Sequence, residues 1–93
     1  MSDEETVVLP LGREFDLHTF RQNEIPEATA EYLLEARRLG YEQVRIIHGK
    51  GTGFQRDVVR KVLEATAFVV SYGDDVNGNR GATWANLAPP VQG

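Results

Sequence analysis

Residues 44–53 read VRIIHGKGTG, and this stretch decides how the rest of the chain is arranged. A short apolar run ends at His48, three glycines then alternate with Lys50 and Thr52, and a helical pattern opens near Phe54. A strand, a glycine loop and a helix in this order aim backbone N–H groups and a helix N-terminus at a bound anion. Glycine also keeps side chains away, so that a phosphate can reach the main chain. From loop chemistry alone, an anion site and a plain tight turn are equally good interpretations, and neither the Walker A nor the dinucleotide-binding motif fits.

The composition indicates one small cytoplasmic domain. A chain of 93 residues makes a single core that can fold without cross-links, and no apolar run approaches the ~20 residues of a membrane span. The acidic start is unlike a signal peptide, and the absence of cysteine excludes disulfides, thiolate metal sites and a cysteine nucleophile. We expect a flexible acidic tail over 1–8, one domain over 9–88, a flexible tail over 89–93 and a monomer.

Charge is divided unevenly between the two halves of the chain. The net charge of −4 argues against an indiscriminate nucleic-acid binder. Residues 1–42 hold four basic against ten acidic side chains, whereas residues 43–93 hold six basic against four acidic ones. A positive surface must therefore come from the second half, which contains the glycine loop.

Apolar periodicity predicts an α/β fold of order β-α-β-α-β-β. Alternation predicts a strand over 13–17, a 3.6-residue period predicts a helix from Ile25 to Leu39 with Pro26 in its first turn, and Gln43–Ile47 follows as a central strand. These three form a right-handed βαβ unit with parallel strands. Further predicted segments are a helix from Thr52 or Phe54 to Thr66, a strand over 68–72, a hairpin loop over 73–81 and a strand over 82–87.

Three side chains are the best candidates for chemistry. Asp16 and His18 are two apart on a strand and so share a face, where a carboxylate can orient an imidazole or both can hold a metal. His48 ends the next parallel strand, and because such strands end at one edge of the sheet, all three are expected on one rim. Metal binding and metal-free acid–base chemistry both remain open, as does a structural interpretation in which Asp16 only caps a turn.

Several other residues have weaker signals. Arg56 and Arg60 are four apart on one face of the second helix, with Arg56 within a turn of the loop. Trp84 and Tyr72 are aromatic enough to stack on bases, although on the strands of a small domain such rings are more often core. Arg80, in the last loop, is more typical of a solvated charge than of a phosphate contact.

Together these motifs resemble the Smr domain, a small domain found at the C-terminus of MutS2-type proteins and as free-standing proteins. The resemblance rests on FDLHTF (15–20), EQVRIIHGKGTG (42–53) and GAT (81–83), and it covers about residues 9–88. It implies a two-layer α/β sandwich with a four-stranded mixed sheet and two helices.

The resemblance also implies an endonuclease that cleaves or nicks branched DNA or RNA, including messenger RNA on ribosomes. It makes Asp16, His18 and His48 the expected catalytic residues. The expected phosphate- or nucleic-acid-binding residues are Gly49, Lys50, Gly51, Thr52, Gly53, Arg56 and Arg60. No cofactor is certain, Mg²⁺ or Mn²⁺ is an open option, and no membrane partner is expected.

Two departures from the family pattern bear on activity. Thr19 replaces the glycine that usually follows the D-L-H motif, and the connection to the first helix is about three residues longer. The acidic total leaves few cations for phosphates, which predicts weak, salt-sensitive binding. The alternatives are a nucleic-acid- or ribosome-binding module without turnover and a small protein-interaction domain.

Overall fold

The computed structural model describes residues 13–49, 53–75 and 81–90. Its elements are β1 (Glu14–Asp16), a 3-10 turn (Gln22–Glu24), α1 (Ile25–Arg38), β2 (Gln43–Ile47), α2 (Phe54–Ala65), β3 (Val69–Asp74) and β4 (Ala82–Leu87). This is the predicted β-α-β-α-β-β order. The predicted tail over 1–8 lies outside the described residues, as do residues 91–93 of the second tail.

The four strands form one mixed sheet in the order β1-β2-β4-β3. β1 pairs in parallel with β2, and β4 pairs antiparallel with both β2 and β3. The parallel βαβ unit, the central place of β2 and the antiparallel final pair are therefore confirmed. β1 and β3 are the two edges of the sheet.

Both helices cover the same face of the sheet, which gives the predicted two-layer sandwich. α1 buries the stripe that its 3.6-residue period predicts, and α2 buries Val59 and Leu63. The sheet contributes alternate residues to this core, which are Phe15, Leu17, Val44, Ile46, Ala85 and Leu87. The opposite, open face carries the intervening residues, including Glu14, Asp16, Arg45 and Trp84.

Some predicted boundaries shift. β3 begins one residue later than predicted and continues through Gly73 and Asp74, which had been assigned to the loop. These two residues pair with Trp84 and Thr83 of β4. Glycine at position 73 leaves room for the Trp84 ring, since a Cβ there would stand 2.9 Å from it. Leu39, predicted on the apolar stripe, lies one residue beyond α1 and is 40% exposed.

Candidate nucleic-acid interface

Asp16 and His18 form an exposed pair at the end of β1, of which Asp16 is the last residue. The two-residue alternation buries Phe15 and Leu17 and turns Asp16 and His18 outward. The carboxylate Oδ1 of Asp16 lies 3.0 Å from Nδ1 of His18 and accepts the His18 backbone N–H, also at 3.0 Å. This backbone N–H, more than any other contact, lowers the pKa of Asp16 below its ordinary value, so Asp16 is ionised near neutral pH.

The pair lies at the same edge of the sheet as the glycine loop. Asp16 is the register partner of Ile47, and the Leu17 N–H donates to the Ile47 carbonyl at 2.9 Å. The ends of β1 and β2 therefore meet there, as the parallel topology predicts. His18 is 76% exposed at this edge.

His48 reaches the same edge but on the other face. Val44, Ile46 and His48 are all buried, so His48 continues the core-facing side of β2, while Asp16 shares the open face with Ile47. The three candidate side chains consequently do not form one cluster. The structure brings Asp16 and His18 together and places His48 beneath α2.

Both ring nitrogens of His48 are hydrogen-bonded inside the protein. Nδ1 lies 3.0 Å from the Gly49 carbonyl and Nε2 lies 2.9 Å from Oγ1 of Thr83. A carbonyl only accepts, so the neutral ring carries its proton on Nδ1, and the Thr83 hydroxyl donates to Nε2. His48 is only 4% exposed, and its two hydrogen bonds hold the chain in place where β2 leads into the glycine loop.

Burial lowers the pKa of His48 below its ordinary value. The guanidinium groups of Arg60 and Arg56 lower it further, while the Gly49 carbonyl acts in the opposite direction. His48 is therefore neutral at pH 7. Its tautomer and its charge both suit a residue that holds the loop in place.

The described parts of the glycine loop have the backbone that glycine permits. Gly49 and Gly53 have φ of 86° and 91°. The N–H groups of His48 and Gly49 are directed at the Gly81 carbonyl, 2.8 and 3.0 Å away, so these two do not point at a ligand. Lys50, Gly51 and Thr52 lie outside the described residues.

The start of α2 completes the positive end of the site. Gly53 is the N-cap and supplies no side-chain cap, and helical bonding begins with the Asp57 N–H to the Gly53 carbonyl. The N–H groups of the first turn thus lack an intrahelical acceptor, and the helix dipole adds partial positive charge. The Arg56 guanidinium folds against Gly53, with Nη2 3.5 Å from the point where a Cβ would stand. Arg60 instead forms an ion pair with Asp74.

Sequence reasoning missed Thr83 and Gly81 as parts of the site. Both belong to or precede β4, and they support His48 and the loop only because β4 pairs with β2. The GAT motif was recognised, but no local pattern connects it to His48. A groove of about 630 Å³ lies beside Gly40 and Arg45, near the starts of β1 and β2 and so at the other end of these strands from the glycine loop. None of the candidate site residues lines this groove.

Two further findings concern ligands and membranes. Within residues 13–49, 53–75 and 81–90, no three His, Asp or Glu side chains group as a metal-binding cluster. In the same ranges, no helix has the length and apolar character needed to span a bilayer.

Comparison with known proteins decides the family. The family model of the Smr domain matches residues 15–88. The chain belongs to the Smr domain family. The resemblance drawn from the three motifs is therefore confirmed.

Individual relatives agree with this assignment. The chain is 40% identical over 76 residues to the endonuclease MutS2 of Listeria welshimeri, a match that covers 80% of this chain and 10% of the relative. The chain thus spans about a tenth of the length of the curated relatives it matches. The crystal structure of the Smr domain of Thermus thermophilus MutS2 superposes with a TM-score of 0.76 at 36% identity, covering 82% of this chain and 98% of that one. YdaL, a stand-alone small MutS-related protein from Escherichia coli, shares the fold with a TM-score of 0.68, at 24% identity and 81% and 63% coverage.

Proposed function

We propose that this Smr domain is an endonuclease that cleaves or nicks branched DNA or RNA. One observation carries the proposal: an exposed, hydrogen-bonded Asp16–His18 pair lies at the end of the sheet where β2 leads into the glycine loop and on to the N-terminus of α2, whose N-cap residue is Gly53. A proton-transfer pair beside an anion site is what phosphodiester cleavage requires. The name of the MutS2 relatives, which calls them endonucleases, supports the same reaction.

The residues of the site would take different parts in the reaction: some would neutralise the phosphate and others would move a proton. The first turn of α2, Arg56 and the charge of Lys50 would neutralise the phosphate under attack. His18 is the better candidate than His48 for moving a proton, because it is exposed, whereas both nitrogens of His48 are already bonded. Asp16 would keep the His18 ring oriented. On RNA, the substrate's own 2′-OH can serve as nucleophile; whether Mg²⁺ or Mn²⁺ takes part is tested with EDTA.

The second candidate is a nucleic-acid-binding module without turnover. It is favoured by the structural use of Asp16, whose Oδ1 caps the turn that leads away from β1. Thr19, in place of the usual glycine, follows directly in that turn.

A cleavage assay separates the two candidates. The protein is incubated with branched DNA, single-stranded DNA and RNA, with added Mg²⁺ or with EDTA. Under the proposal, the wild type cuts at least one substrate and the variant with Asp16→Ala plus His18→Ala does not, by a factor of about 10²–10⁴. Cleavage that survives in the double variant would assign the activity to a contaminant. No cleavage with retained binding would leave the second candidate.

Binding is tested by its salt dependence. Lys50→Ala should reduce the slope of log K against log salt by about one if its ammonium contacts a phosphate. Arg38→Ala is a charge-matched comparison, since Arg38 lies in the last turn of α1, where the chain turns back towards the start of β2. Equal slopes for wild type and Lys50→Ala would contradict a phosphate contact by this residue.

A further inference from the structure

A groove starts at the first residue of α2 and lies between the outer side of this helix and the edge strand β3. It has a volume of about 540 Å³ and is lined by Phe54, Asp57, Val58, Arg60, Lys61, Glu64 and Tyr72. Phe54, the first residue of α2, stands at its loop end and is 53% exposed. This large aromatic residue is therefore more than half exposed to solvent at the point where the loop leads into α2.

The charges that line the groove are largely balanced internally. Glu64 accepts the Tyr72 hydroxyl, and Arg60 pairs with Asp74 while its guanidinium lies 5.5 Å from the centre of the Tyr72 ring. Lys61 has no ion-pair partner among the described residues. The groove therefore offers an aromatic surface and one spare ammonium, without the run of cations that a phosphate backbone needs.

We infer that this groove holds one unpaired base of the nucleic-acid strand whose phosphate lies at the glycine loop, with Phe54 stacking on the base. The inference rests on the proposed function. Every base has a π-face, and stacking on an aromatic side chain is tolerant of sequence. A base in a duplex is already stacked on both faces, so the groove selects single-stranded segments or the unpaired nucleotides at branches. Stacking also supplies affinity that salt does not screen, which suits a domain with few cations.

A polypeptide is the competing occupant. The neighbouring edge strand exposes Val70 by 69%, and an unpaired strand edge can add a strand from another chain. The base is favoured because Phe54, which directly follows the loop, lines the groove, whereas Val70 does not. Pairing along β3 would leave the Phe54 ring outside the contact.

The test uses the variant with Asp16→Ala plus His18→Ala, so that the probe stays intact. Binding is measured to a short oligodeoxyadenylate that contains one 2-aminopurine and to a duplex of the same length. In this background, Phe54→Ala should weaken single-strand binding about 5- to 100-fold and abolish the 2-aminopurine quenching, with the salt slope unchanged. Duplex affinity should not change. Phe54→Tyr should keep both signals, because it keeps an aromatic face.

Leu34→Ala is the matched control. Leu34 is an exposed apolar residue of α1, 58% exposed, and lies outside the groove. Alanine is a better helix former than phenylalanine, so Phe54→Ala should remain folded, and its unfolding midpoint checks this.

The outcomes are distinct. An unchanged single-strand affinity in Phe54→Ala, or an equal loss on the duplex, overturns the inference. So does a shift from dimer to monomer in Phe54→Ala, which would identify a protein interface. If Phe54→Ala has no effect while the Asp16→Ala plus His18→Ala variant abolishes cleavage, only the inference fails. If the wild type binds no nucleic acid, the proposed function fails with it.

Discussion

The two histidines of this chain lie at the same end of the sheet, but one is exposed and the other is buried. His18 is 76% exposed and its Nδ1 lies 3.0 Å from the Asp16 carboxylate, so the ring is accessible to a ligand. His48 is 4% exposed, lies on the core-facing side of β2 and is bonded at both nitrogens, to Gly49 and Thr83. The face of the strand on which a residue lies therefore decides whether its side chain is accessible or buried, even where sequence motifs present the two histidines as equivalent.

Exchanging each histidine for alanine should separate these roles. His18→Ala is expected to reduce cleavage by about 10²–10⁴-fold while the free energy of unfolding stays within about 0.5 kcal/mol, because the ring is exposed. His48→Ala should instead cost about 2–3 kcal/mol of stability, because it leaves a cavity and an unpaired Thr83 hydroxyl. Cleavage kinetics and urea unfolding of both variants provide the measurements. Equal stability losses would remove the contrast.

A double-mutant cycle tests whether the hydrogen bond between His48 and Thr83 contributes to stability. Thr83→Val keeps the shape of the buried side chain and removes its hydroxyl, which should cost about 1–2 kcal/mol. Because Thr83 and His48 share one hydrogen bond, the double variant should lose less than the sum of the single losses. Strict additivity would show that the bond does not contribute to stability.

The sequence predicts those parts of the site that depend on local periodicity. The two-residue spacing of Asp16 and His18 is enough to place both side chains on the open face, and they are in contact. The same alternation, continued from Val44 and Ile46 by one step, places His48 on the core side. The strand ends alone predict that the three residues lie together, whereas the faces of the strands separate His48 from Asp16.

Other features arise from pairings that no local pattern shows. Thr83 is 35 residues from His48 along the chain and meets it only through the β2–β4 pairing. β3 extends past its predicted end because Gly73 and Asp74 pair with Trp84 and Thr83 of β4, with the Trp84 ring packed on Gly73. Glycine is a turn signal in sequence, and here it supplies the space for a ring. Likewise, Phe54 and Val58 are four residues apart, the spacing of an apolar helix face, so the sequence does not show that Phe54 is 53% exposed.

The glycine loop, which His48 holds in place, allows a test with a smaller expected effect. Gly49 has φ of 86° and a Cβ there would meet nothing within 4 Å, so Gly49→Ala costs only backbone strain, about 1–2 kcal/mol. Gly40, after α1, has φ of 85° and is equally uncrowded, which makes Gly40→Ala a matched control. Both variants should lose similar stability in thermal unfolding. Only Gly49→Ala should also weaken nucleic-acid binding, and equal binding by both would detach the loop from the ligand.

The smallest expected effect is a pH dependence of stability that originates from His48. Its pKa is lowered in the folded protein, so the unfolded chain takes up a proton at a higher pH than the folded chain does. The contribution to stability is therefore complete above the ordinary histidine pKa of about 6.5 and is lost as pH falls towards the lower, folded value. Urea unfolding is measured between about pH 8 and about pH 5.5, on either side of that pKa. The free energy of unfolding should fall as pH falls in the wild type and fall less steeply in His48→Gln. His18 and the carboxylates are common to both proteins, so their contributions cancel in the difference. Identical slopes would mean that the buried imidazole is as easily protonated as a free one, and the distinction between the two histidines would then rest on geometry alone.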